Sequence, residues 1–200
     1  MKNDCIIYDF ETLGQYPNES VVLSMAALPF TEQRFIADEP YSYEELLYSA
    51  KFIKFSVQDQ VKQYGRKIDK ESVEWWSKQP EEARASFTPS DIDAPLVELH
   101  PFIMDLVDDP SKVKKVYTRG NTFDPIFLES LLHSINKKDP FPWWNIRDTR
   151  SMIEGMSYGA DMRNDFIIPE LKDKFVLHHP THDIAMDVMR LQMLARILLL

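Results

Sequence analysis

Cysteine is all but missing. Cys5 is the single example in 200 residues, so the chain closes no intrachain disulfide and builds no multi-cysteine zinc site; a reducing cytoplasm suits it better than a secretory route. Long apolar runs are missing too. The N-terminal CIIY run is cut by Asp9 and Glu11, unlike the apolar stretch of an export signal. The C-terminal LQMLARILLL carries Arg196 and falls well short of the roughly 20 residues of a membrane span. That segment is expected to be the packing end of a helix, with no membrane as partner. Positive charge is also scarce: 23 Lys and Arg face 32 Asp and Glu, for a net charge of -9. Such a balance argues against tight duplex binding, which draws on a basic surface. A protein that admits only a strand end escapes the objection, because bound metals supply local positive charge and clustered carboxylates account for part of the acidity.

What is present is ordinary globular material, 44% apolar and 28% charged. Without repeats or low-complexity tracts, residues 1–200 are expected to form one domain. CIIYD (5–9) and SVVLSMAALPF (20–30) read as strands of an opening hairpin, with a third strand around Gln33 to Ala37. Asp69 is an N-cap candidate for a helix over Glu71 to Lys78, stopped by Pro80. Leu96, Leu99, Ile103, Leu106 and Val107 recur at helical spacing, which predicts an amphipathic helix from Pro95 to Val107. VYTRG (116–120) then predicts a strand, followed by a helix from Pro125 to about His133. WWNIRD (143–148) predicts a further strand, Thr149 a helix start, and Thr181 the N-cap of a last helix running to Leu200. Early strands followed by alternating helices and strands fit an α/β fold, a mixed sheet with flanking helices of the ribonuclease H-like kind. The stretch from Pro40 to Glu82 is longer than a plain connection and is expected to cover the functional face.

Four carboxylates are the chemical candidates. Asp9 and Glu11 stand at i and i+2 on a strand, hence on one face with Phe10 on the other. Alone, such a pair is better explained by a solvated strand edge; the rest of the set overturns that reading. Asp124 sits at a strand-to-helix junction, where side chains of an α/β sheet reach the crevice, although on its own a helix cap before Pro125 is the better reading. Asp187 falls among Ile184, Val188 and Leu191 on a face expected to be buried, where a carboxylate needs a partner or a metal. His182, five residues earlier, reads by itself as a capping or surface histidine.

Together these residues carry a resemblance. DFETLG (9–14), NTFD (121–124) and HDIAMD (182–187) resemble, in order and separation, the three motifs of the DEDD superfamily of 3′→5′ exonucleases in its histidine-bearing subgroup. SVEWWSKQPEEAR (72–84), RGNTFD (119–124) and WNIRDTR (144–150) extend the likeness to phage-type exonucleases and their exoribonuclease relatives. The resemblance implies that Asp9, Glu11, Asp124 and Asp187 bind two Mg²⁺ or Mn²⁺ ions and that His182 deprotonates the attacking water. Both roles make chemical sense: oxygen ligands suit hard cations, paired metals serve in-line displacement, and imidazole titrates near operating pH. It further implies that Thr12 and Leu13 receive the terminal 3′-hydroxyl and wedge the last base, and that Asn121 is the asparagine of the second motif; Leu13 replaces the family's threonine.

The implied partner is the 3′ end of single-stranded nucleic acid, DNA in preference and RNA as the alternative; for a phage protein the location would be the host cytoplasm. A catalytically dead nucleic-acid-binding protein on the same fold is the rival of another class, and retention of all five chemical positions speaks against it. A ribonuclease H endonuclease is weaker still, because its last helix lacks the histidine and aspartate pair. Trp75-Trp76 and Trp143-Trp144 are expected to pack at least one ring of each pair in the core, leaving the other as a candidate stacker. Lys62, Arg66, Lys67 and Lys70 read equally as phosphate contacts or as a solvated face, and His100, His133, His178 and His179 carry no special signal.

Overall fold

The computed structural model describes residues 3–85, 87–158 and 162–199. Strand β1 (Cys5–Thr12) pairs antiparallel with β2 (Val22–Phe30), forming the expected hairpin. Its connection is tight at Gly14, where a Cβ would lie 2.3 Å from the Ser20 hydroxyl oxygen, so a larger residue displaces Ser20. Helix α1 (Tyr43–Ser49), capped by the Ser42 side chain, leads into β3 (Lys51–Lys54), which pairs with the outer edge of β2. Helices α2 (Val57–Tyr64), α3 (Lys70–Ser77), α4 (Glu81–Ala85) and α5 (Leu99–Met104) follow. Strand β4 (Lys115–Thr118), helix α6 (Asp124–Ser134), strand β5 (Ile146–Asp148), helix α7 (Thr149–Met156) and helix α8 (Pro180–Leu199) complete the order. The 5-stranded sheet runs β3-β2-β1-β4-β5, antiparallel on the hairpin side and parallel from β1 through β5.

Alternation along β1 sorts its side chains between two layers. Ile6, Tyr8 and Phe10 face Leu99 and Ile103 of α5 and Phe127, Leu128, Leu131 and Leu132 of α6. Cys5 and Ile7 face the other layer, where Ile184, Val188, Leu191 and Leu194 of α8 pack with Tyr43 and Leu46 of α1. Each such side chain, when fully buried, contributes roughly 1.5–3 kcal/mol. Asp9 and Glu11 continue the Cys5–Ile7 face, so they emerge from beneath α8 where the apolar layer ends. The hairpin register shifts between Glu11 and Thr12: Glu11 opposes Ser24 and Thr12 opposes Val22, leaving Leu23 as an extra residue in β2.

Several expected elements differ. Gln33 to Ala37 is no strand; Glu32–Arg34 is a 3-10 turn whose Arg34 guanidinium is drawn to Glu45 and to the carbonyls of Glu39 and Pro40. The third strand is Lys51–Lys54, a short lysine-flanked edge whose sequence has little apolar signal. The Pro95 to Val107 helix is divided, a 3-10 turn at Leu96–Glu98 running into α5. Only the last three residues of WWNIRD are strand, since Pro142 leads into a 3-10 turn over Trp143–Asn145. Helix α8 starts at Pro180, so Thr181 lies inside its first turn rather than capping it, and Leu200 lies outside the described residues. Its packing end is partial: Leu191 and Leu194 are buried, whereas Ile197, Leu198 and Leu199 are exposed. Among the described residues no helix is long and apolar enough to cross a membrane.

Candidate active site

Where β1 leaves the sheet, Asp9 and Glu11 meet Asp183 from the first turn of α8, and their carboxylate oxygens lie within 4.8 Å of one another. Asp124, the first residue of α6, is buried with its Oδ1 accepting the Phe10 backbone N–H at 3.1 Å. The four carboxylates line one cavity of about 720 Å³. Burial, followed by the charge of neighbouring carboxylates, pushes Asp9 and Glu11 well above the usual carboxylate range. Burial also pushes Asp124 up to about 7. Asp183 is likewise raised to about 7, by burial and by Asp187, while Arg190, Arg119 and a backbone hydrogen bond from His178 act the other way. An all-oxygen donor set that resists ionisation through mutual repulsion is well suited to a hard divalent cation, which relieves the repulsion.

Asp187 has different company. Its Oδ1 accepts from Arg119 Nη1 at 2.7 Å and Arg190 Nη1 at 2.6 Å, and its Oδ2 accepts from Thr149 Oγ1 at 2.5 Å. It is buried one helical turn further along α8 than Asp183, tying α8 to Arg119, just past β4, and to Thr149 of α7. A buried carboxylate needs a partner or a metal, and here the partners are arginines.

His182 is also turned away from the cavity. Its Nδ1 accepts the Val176 backbone N–H at 3.3 Å and lies 3.0 Å from the Tyr43 hydroxyl of α1. Helical phase accounts for it: Asp183 faces the cavity, and His182, the residue before it in α8, projects about 100° further round the helix; it also lies about 140° from Asp187. His178 escapes that constraint. It precedes the helix in a left-handed conformation, φ 61°, and lines the same cavity as the four carboxylates. A non-glycine residue in that region carries strain of the sort concentrated at functional sites. Its ring stands edge-on to Trp75, centroids 4.8 Å apart, and burial lowers its pKa. The sequence did contain a signal: His178 and Asp183 repeat the spacing of His182 and Asp187, one turn earlier.

A second cavity, about 670 Å³, adjoins the first and shares Phe10, Glu11 and Phe123 with it. Thr12, Gly14, Glu71, Trp75 and Trp76 line it, so α3 from the long insert does cover this face. Thr12 donates its hydroxyl to the Gly14 carbonyl at 2.7 Å, and its own carbonyl accepts from Trp76 Nε1 at 2.9 Å. Leu13 instead packs toward Leu23, Trp76 and Phe87. Asn121 is exposed, accepting from Thr118 Oγ1 at 3.3 Å, and lines neither cavity. Trp76 is buried and Trp75 half-exposed, as expected of one pair, but Trp143 and Trp144 are both exposed. Arg66 is buried and committed to the Pro17 and Ser20 carbonyls and to Ser130, and Lys67 pairs with Glu19.

An acidic cavity at the end of β1, fed by an aromatic groove, has counterparts in known proteins. The exodeoxyribonuclease of Enterobacteria phage T4 is 29% identical over 203 residues, covering 93% of this chain and 86% of that protein. The fold matches Escherichia coli exonuclease I in complex with a dT13 oligonucleotide, with a TM-score of 0.59 at 15% identity; the match covers 98% of this chain and 41% of that one. The same enzyme with a 5cy-dA13 oligonucleotide matches with a TM-score of 0.55 at 19% identity over 99% of this chain and 40% of that one. The chain thus spans less than half the length of exonuclease I, and at these identities the likeness establishes the fold. Residues 4–191 match the family described as the 3′-5′ exoribonuclease Rv2179c-like domain. With nearly its whole length inside that match and carboxylates from both ends of the chain converging on one cavity, the chain belongs to this family of 3′-5′ exonuclease domains.

Proposed function

We propose that the 200 residues act as a single catalytic domain that removes nucleoside 5′-monophosphates from the 3′ end of single-stranded DNA. Asp9, Glu11, Asp124 and Asp183 hold two Mg²⁺ or Mn²⁺ ions, and His178 is the general base. The observation that carries the reading is the four carboxylates lining one cavity that opens into an aromatic groove. In the ligand and base roles Asp183 and His178 take the places that the motif resemblance gave to Asp187 and His182, because both line the cavity, whereas Asp187 is engaged by Arg119, Arg190 and Thr149 and His182 by Val176 and Tyr43. Divalent cations bound there supply Lewis acidity and charge neutralisation at the scissile phosphate.

The protein's own groups do the rest. The carboxylates fix the cation positions from two rigid strand residues and two helix N-termini. His178, kept neutral by burial, takes a proton from the attacking water on a ring nitrogen. Trp75 and Phe123 offer rings on which the terminal bases stack. DNA is favoured by the phage T4 relative, an exodeoxyribonuclease. The family's description as exoribonucleases favours RNA as the second reading. Labelled single-stranded DNA and RNA, each carrying the label at the 3′ or the 5′ end, incubated with Mg²⁺, Mn²⁺ or EDTA, test both. Immediate release of 3′-labelled mononucleotide and a shrinking 5′-labelled ladder are expected on DNA with metal. Internal cleavage, or turnover in EDTA, defeats the proposal.

A further inference from the structure

Most arginines near the carboxylate cavity are committed. Arg119 is held by Asp187 and by the backbone and side chain of Asn164, and Arg190 by Asp187 and the carbonyls of Asp165 and Phe166. Arg150 is not. It lines the cavity beside Asp9, Glu11, Asp124 and Asp183. It is exposed, and among the described residues no hydrogen bond or ion pair engages its guanidinium; its charge is felt only at a distance, by Asp124. Its mount is rigid: the preceding Thr149 is buried and donates to Asp187 Oδ2, and Asp148 caps α7 through the Ser151 N–H. A long side chain left without a partner, on a fixed backbone, at the rim of a cavity otherwise walled by carboxylates, lacks only an anion.

We infer that Arg150 is a phosphate-binding residue of this site, taking the phosphate of the 3′-terminal nucleotide. The inference rests on the nuclease reading for its substrate but on the cavity alone for its chemistry. Metal-free carboxylates repel a phosphodiester, and a guanidinium at the rim supplies both attraction and a planar fork that matches two phosphate oxygens. Arg119, engaged through Nη1 by Asp187 and through Nη2 by Asn164, serves as the wall that keeps the Asn164 segment in place. The same logic makes Asp187 a positioning residue, because it anchors Thr149 and hence the backbone from which Arg150 projects.

Calorimetric titration of the full chain in Mg²⁺ with dTMP and, separately, with thymidine tests this on wild type, Arg150→Gln and Arg150→Lys. Wild type is expected to bind dTMP more tightly than thymidine. Loss of a charge-assisted phosphate contact is expected to weaken dTMP binding by Arg150→Gln about tenfold to a hundredfold while leaving thymidine binding unchanged. Arg150→Lys, which keeps the charge without the fork, is expected to fall between. Arg150→Gln within about twofold of wild type for dTMP, or a parallel loss for thymidine, overturns the assignment, as does a wild type that binds dTMP no better than thymidine. A wild type that shows the dTMP effect yet degrades neither DNA nor RNA removes the nuclease reading and leaves the phosphate site standing.

Discussion

The two aspartates of α8 separate by opposite responses to loss of charge. Asp183→Asn removes a carboxylate whose ionisation is opposed by burial and like charge, whereas Asp187→Asn removes the counter-charge of two arginines. Without metal, Asp183 is raised from 3.8 to about 7 in the folded chain. The folded state therefore holds the proton more tightly than the unfolded state, and stability is lost as pH rises from about 4 through about 7. At neutral pH that penalty is at most about 4 kcal/mol, and asparagine abolishes it. Asp183→Asn is thus expected to unfold at the wild-type temperature or above it in EDTA, with the advantage shrinking as pH falls toward 4. Asp187→Asn leaves the buried Arg190 and the partly covered Arg119 without a counter-charge, which costs about 3–5 kcal/mol. For a domain of this size that lowers the melting temperature by about 6–20 °C. Turnover divides the same way: Asp183→Asn is expected to fall at least about 10³-fold through loss of a metal ligand, out of proportion to its stability. Thermal melts in EDTA from pH 4 to 8, with nuclease assays at a temperature where every variant is folded, decide it. An Asp187→Asn that melts with wild type, or an Asp183→Asn within tenfold of wild-type turnover, refutes the reasoning.

Three further outcomes are expected. His178→Ala should lower turnover by roughly 10²- to 10⁴-fold with little change in metal affinity, while His182→Ala should lose about 1 kcal/mol of stability with its Val176 and Tyr43 contacts and keep most activity; the reverse order returns the base role to His182. Mg²⁺ at a hundred times its dissociation constant should stabilise the fold by about 2.7 kcal/mol at pH 8, and less as pH falls through about 7 and Asp124 and Asp183 take up protons; a pH-independent gain would exclude these groups as ligands. Trp75→Ala should raise KM for oligonucleotides through loss of a stacking ring, by about 1–3 kcal/mol in binding; an unchanged KM would take the groove out of substrate recognition.

The hairpin and the strand–helix unit around Asp124 were legible because their signals are local: β-branched runs, Gly14, and Pro125 at a first helical turn. The edge strand Lys51–Lys54 was not, since one sheet neighbour and a solvated flank leave no hydrophobic alternation to read. Trp143 and Trp144 misled for a related reason, as aromatic content promised a strand that Pro142 redirects into a turn. Asp9, Glu11 and Asp124, which the sequence singled out only as a set through the motif resemblance, do line one cavity. Which histidine and aspartate from the chain's end line it was not legible, because the His-x₄-Asp spacing occurs twice in overlap, and only the helix start at Pro180 leaves His178 outside α8.

The extra residue at Leu23 has a bearing on how the molecule comes to be handed correctly. A plain antiparallel ribbon can slide by one step and still satisfy its ladder, and here that slip would turn Asp9 and Glu11 toward Phe127 and Leu131 while exposing Phe10. A bulge breaks that translational symmetry. Leu23 finds a seat only against Trp76 and Phe87, and its carbonyl is claimed by the Phe55 N–H, so a single registration satisfies both strands at once. The side of the sheet on which the acids stand is therefore fixed by the hairpin and its packing on α3, independently of α8, which brings Asp183 from the far end of the chain.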